Sequence, residues 1–148
     1  MRDILFKAKR IDNGEWVEGY VFDDGFVDRK RMFVGGLVIM DYKGTANDRW
    51  EVGTAFYEVD PNTICQYTGL TDKNGNKIWE NDVVRYYDEL VNMVKEDLVK
   101  WNETHASFTR LHESRMGLQY LYIDEGISNR CEVIGNIFDN PELIKESD

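Results

Sequence analysis

The sequence predicts a mainly β protein of barrel or sandwich type, and three observations predict it. Helical periodicity is weak almost everywhere. Turn-forming residues recur about every 8–12 positions, and between them apolar and polar residues alternate with the two-residue period of a half-buried strand. A chain of 148 residues, 42% hydrophobic and 13% aromatic, suits one domain or two small lobes with a sizeable core. No Pro- or Ser-rich linker divides it, so any lobe boundary is expected near Asp60–Thr68.

The elements follow in order. Ile4, Phe6 and Ala8 alternate with Leu5, Lys7 and Lys9 in a first strand, and Asp12-Asn13-Gly14 supplies residues that tolerate positive φ in a turn. A second strand runs from Glu15 to Phe22 and ends at Asp23-Asp24-Gly25. Phe33–Tyr42 reads as a strand in which Gly35-Gly36 marks a bulge or a close backbone approach. A polar loop, Lys43–Asp48, precedes the strand Thr54–Val59, which Asp60-Pro61-Asn62 breaks. Tyr67–Leu70 and Lys77–Trp79 flank the turn DKNGNK, and Asp82–Tyr87 is the next strand.

Residues Asp88–Leu98 fit either a helical face or a hairpin arm. The hairpin is favoured, with strands near Asp97–Trp101 and Ser107–Leu111. Leu118–Ile123 and Glu132–Phe138 are the last strands, separated by a turn at Asp124-Glu125-Gly126. Asn140-Pro141-Glu142 then starts a short C-terminal helix, with an N-cap side chain, proline in the first turn and an acid beside it.

The formal charge of −10 is uneven: nine basic and twelve acidic residues precede Tyr67, and nine and sixteen follow. Nucleic-acid binding by counterion release needs clustered Lys and Arg, so the balance disfavours it. Lys7, Lys9 and Arg10, or Arg29-Lys30-Arg31, could form a basic patch, but solvated strands and turns account for them. No apolar run approaches the roughly 20 residues that span a membrane, and the N-terminus lacks a signal peptide's apolar segment. A cytoplasmic protein is expected. In a reducing cytosol Cys65 and Cys131 read as buried free thiols rather than a disulfide or metal ligands.

Asp72-Lys73-Asn74-Gly75-Asn76 has the opening spacing of a calcium loop. Lys77 stands where the loop's glycine belongs and Val83 where its bidentate Glu belongs, so an Asn-Gly hairpin turn is the better account. His105 and His112 are the only histidines, and neither has a nucleophile or metal-ligand partner at a telling spacing. No cofactor or metal is implied. The aromatic residues are candidates for a stacking platform or a protein interface, although core packing is the simpler role. The candidate binding surface is Trp79, Tyr86 and Trp101 with Arg85 and Lys100.

Three segments, FKAKRIDNGEWVEGYVF (Phe6–Phe22), VDPNTICQYTGLTDKNGNKIWENDVV (Val59–Val84) and EVIGNIFDNPELI (Glu132–Ile144), together resemble the YopX family of phage and prophage proteins. The likeness spans both ends and the middle and is weak over Arg85–Arg130. Asn81 departs from it, standing where the family usually has glycine, which concerns the turn at Glu80-Asn81. The resemblance implies a protein of temperate phages or prophages, acting in the bacterial host cytoplasm, and supplies no catalytic residues. It also implies an SH3-like small β barrel for the C-terminal half. The expected architecture is an N-terminal β meander (1–66) packed with a C-terminal barrel-like lobe (67–148) and a short C-terminal helix.

Functionally, the sequence reads as a non-enzymatic module that binds a protein partner, and homo-oligomerisation is expected because β-rich chains must pair, cover or charge their edges. One alternative is a barrel that binds single-stranded nucleic acid. The other is an enzyme whose site lies at the lobe interface, built from His105 or His112 and nearby carboxylates.

Overall fold

The computed structural model describes residues 3–25, 30–41 and 51–144 and divides into two compact units, Ile4–Cys65 and Gln66–Asp148 with Met1–Asp3. The described residues are mainly β. Arg29, Tyr42, the loop Lys43–Asp48 and Trp50 lie outside them.

The N-terminal unit is an antiparallel meander of β1 (Phe6–Lys9), β2 (Trp16–Asp23), β3 (Met32–Asp41) and β4 (Glu51–Val59), in sheet order β4-β3-β2-β1. Gly14 and Gly25 take the positive φ that the first two turns require. The close approach expected at Gly35 is real: a Cβ there would stand 1.9 Å from the Ala55 carbonyl oxygen, so β3 and β4 meet where only glycine fits. The meander curls until its ends touch. Arg10 bridges Val59, and the Asp60 N–H donates to the Lys9 carbonyl. Ala8, Val34 and Val59 form its buried centre, with Val17, Val21, Met32 and Ile64 around them.

In the C-terminal unit, β5 (Cys65–Thr71, which begins one residue before the unit) and β6 (Lys77–Trp79) form a hairpin. β7 (Asp82–Asp88), β8 (Met93–Asn102), β9 (Ser107–Ser114), β10 (Gly117–Tyr122) and β11 (Glu132–Asn136) form an antiparallel sheet in the order β10-β9-β8-β7-β11. The hairpin reading of residues 88–98 is what forms, its turn closed by Asn92 at φ 54°. The sheet is open rather than a closed barrel, with β10 and β11 at its edges. β11 stops at Asn136 because Asn136 Oδ1 accepts from the Phe138 and Asp139 N–H groups, turning the chain two residues before the expected end.

Two local expectations change. Asp124 begins a short helix, α1 (Glu125–Ser128), and not only a turn, because its carboxylate caps the Ile127 N–H. The C-terminal helix is a single 3-10 turn, Pro141–Leu143, and Asn140 does not cap it. Instead Asn140 Oδ1 faces the Asn136 N–H, and a Cβ at Gly135 would come within 2.3 Å of that oxygen. The glycine and the asparagine of VIGNI and NPEL are therefore two halves of one contact.

The turn DKNGNK is built differently from an Asn-Gly hairpin. Only Gly75 enters positive φ (83°), and the Asp72 carboxylate organises the rest. Asp72 Oδ1 accepts from the Asn74 and Asn76 N–H groups, and Oδ2 accepts from the Asn76 amide and, across the unit, from the Val133 N–H. Gly75→Val is expected to destabilise the protein by about 1–3 kcal/mol, with Gly75→Asn much milder, since a β-branched residue is strained at this φ. Denaturant midpoints for the two variants would check this. Equal midpoints for Val and wild type would refute it.

The candidate binding face and the buried polar cluster

The five-stranded sheet of the C-terminal unit has two unlike faces, because alternate residues of each strand point oppositely and cross-strand partners share a side. One face carries Val84, Tyr86 and Val99, which pack with Ile78 of β6 and Cys131 in the core, joined by Ile127 of α1 and Val133. Both cysteines are buried thiols, and burial pushes the Cys131 thiol above its ordinary range.

At the margin of this inner face lies a polar cluster that the sequence reading did not assemble. Asp97, 1% exposed, receives Arg110 Nη1 on Oδ2 at 2.7 Å and stands 2.8 Å from His112 Nδ1 through Oδ1. Arg110 also donates from Nε to the Tyr122 carbonyl and lies 4.9 Å from the centre of the Tyr86 ring. Register explains the grouping: Val84 faces Asp97 on β8, and Val99 faces Arg110 on β9. An Asp–His pair can orient an imidazole for acid–base work. Here Arg110 neutralises the same carboxylate, both of whose oxygens are engaged, so the cluster is built as a structural network. His105 is elsewhere, in the turn between β8 and β9.

Burial first, and then the charge of Asp97, pushes the Tyr86 phenol up to about 12. A neutral phenol whose folded value exceeds its ordinary 10.0 contributes stability fully below pH 10 and loses it as pH rises towards 12. Wild-type stability is therefore expected to fall across that window, and the component due to Tyr86 to vanish in Tyr86→Phe. Alkaline unfolding curves with the same slope in both proteins would contradict this.

The outer face carries Tyr87 and Val94 in one cross-strand row, and Val83, Leu98, Leu111 and Tyr120 in another. Between these rows run Arg85, Glu96, Glu113 and Leu118. A groove of about 560 Å³ opens here, lined by Leu98, Leu111, Leu118, Leu143 and Ile144 together with the charged and polar residues Lys95, Glu96, Asp97, His112 and Glu113. Val94, Leu118 and Ile144 remain exposed around it.

Of the five candidate surface residues, Trp79 and Tyr86 are core. Trp79 is 4% exposed against Tyr67, and Tyr86 is 8% exposed in the inner-face cluster, so neither is a stacking platform. Trp101 is partly exposed and packs edge-on against Phe108 at the strand end. Arg85 and Lys100 do reach the outer face, where Arg85 is paired with Glu96 and Lys100 donates to Asn81 Oδ1. The described members of the other basic groups are similarly engaged: Lys7 lies over the Trp16 ring, and Arg10 and Arg31 pair with Asp12 and Glu58. Sequence reasoning missed Val94, Leu118 and Ile144 because single exposed aliphatic residues are ordinary until register lines them up.

The stretch with calcium-loop spacing is taken up by hydrogen bonds of the turn. The Asp72 oxygens are consumed by N–H donors, and among the described residues no group of three or more His, Cys, Asp or Glu could hold a metal. No helix among the described residues is long and apolar enough to cross a membrane.

Comparison with known proteins accords with this architecture. The model of the YopX protein family matches residues 38–145. The crystal structure of protein EF1440 from Enterococcus faecalis is similar, with 24% identity and a TM-score of 0.62 over 98% of this chain and 100% of that one, a likeness of fold alone. No curated protein matches the chain.

Proposed function

The chain belongs to the YopX family, and from that premise we propose that it is a non-enzymatic accessory protein of a temperate phage or prophage that binds a protein partner in the host cytoplasm. The observation that carries this reading is the groove, whose apolar residues Leu98, Leu111, Leu118 and Leu143 are left open beside Glu96 and Glu113. Apolar surface of this kind marks interaction sites more often than it occurs idly. Glu113 beside the groove, on a chain of net charge −10, suits a partner surface that is apolar at its centre and basic at its margin.

Stacking of single-stranded nucleic acid has less support. Among the described strand residues Glu96, Glu113 and Glu132 share this face with Arg85 and Lys100, and the groove is also lined by Lys95; all three cations are engaged within the protein.

The test compares wild type with Val94→Asp and Ile144→Asp in cross-linked capture from lysogenic host cells. A host or phage protein enriched by wild type and lost by both variants at unchanged thermal stability is the expected result. Identical sets of captured proteins would overturn the reading.

A further inference from the structure

Among the described residues strand β10 is an edge: it pairs with β9 from Gly117 to Tyr122, and no described strand lies beyond it. Every second residue of such a strand directs its N–H and C=O groups away from the sheet. Native β proteins blunt edges of this kind with charges, proline or bulges. β10 has none of these: its sequence is GLQYLY, and its register with β9 is unbroken. The opposite edge, β11, is protected by comparison, having five residues, a glutamate and a bulge between Val133 and Gly135.

We infer that β10 is a dimerisation strand, pairing antiparallel with β10 of a second copy of this chain to make one continuous sheet. Charge opposes a second copy least at this strand. On a molecule of net charge −10, an approaching copy is repelled by acidic surface, whereas GLQYLY is six residues without a charge.

Parity makes the strand self-complementary. A twofold axis normal to the sheet through Tyr120 sets Tyr120 against Tyr120 of the other copy and Leu118 against its Tyr122, all on the outer face. Gln119 and Leu121 meet their counterparts on the inner face, so no side chain must change sides. Leu118, Tyr120 and Tyr122 are 69%, 59% and 74% exposed and free to make these pairs. The groove shares Leu118 with this strand, but the two readings are tested at different residues, Val94 and Ile144 for the groove and Tyr120 for the strand.

Light scattering of the full chain is expected to give twice 17.4 kDa at micromolar concentrations. Association should strengthen with salt as acidic copies are screened. Tyr120→Lys, which sets two ammonium groups face to face across the axis, should return the protein to a monomer at unchanged thermal stability, while Val94→Asp stays dimeric. Amide protection in wild-type β10 should also rise with protein concentration, a readout that does not depend on a variant folding. A wild-type monomer throughout the micromolar range, a Tyr120→Lys dimer, or β10 amides indifferent to concentration would each overturn the inference.

Discussion

Asp97→Ala is expected to cost about 3–5 kcal/mol, a large part of the stability of a small domain, because it leaves Arg110 charged and buried with its best partner gone. Arg110 is 7% exposed and held by its Tyr122 contact, so it cannot simply swing into water. Removing both charges should hurt less than removing one: Asp97→Leu with Arg110→Met replaces a desolvated pair by apolar volume. Chemical denaturation of the two variants gives the comparison. If Asp97→Ala unfolds within about 1 kcal/mol of wild type, Arg110 is solvated without its partner and the network is not the strut described above.

Asp72→Ala is expected to cost about 3 kcal/mol, since its carboxylate accepts charge-assisted bonds that join the β5–β6 turn to β11. Asp72→Asn is informative because it keeps the shape but turns a donor towards the Val133 N–H. Burial pushes this carboxyl up, yet the bonds from Val133, Asn76 and Asn74 outweigh it and hold the group below its ordinary 3.8. A depressed folded value means stability that is present above about pH 4 and is lost as pH falls through the folded value. The acid limb of wild type should therefore be steeper than that of Asp72→Asn. Parallel acid limbs would show that Asp72 is no better satisfied in the folded chain than in the unfolded one.

Much of this was legible one residue at a time. Gly75 and the fingerprint around it read as a turn, and Gly35-Gly36 read as a bulge or a close approach, of which the structure has the close approach. The departure at Asn81 was legible as a question, and the structure answers it. Asn81 takes φ 68°, the region glycine enters freely, and adds a hydrogen bond from Lys100 that glycine could not accept. The carboxylates were not legible in the same way. Asp72 looked like a turn residue and Asp97 like one more acid in a mixed strand, MVKEDLVKWN, whose two alternating sets both contain charged and apolar members.

The sequence by itself determined the mainly β class, the positions of most turns and the family, because turn chemistry and two-residue alternation are local properties of a chain. The hairpin over residues 88–98, which fits a helical face equally, was decided by the pairing of β7 with β8. Tertiary structure alone decided which aromatic residues are buried, that Asp97, Arg110 and His112 meet, and that an apolar groove opens beside Leu118. Those outcomes depend on strand register, in which a shift of one residue exchanges the two faces of a sheet. Register is set by partners far away in the sequence, so no single stretch of the chain carries it.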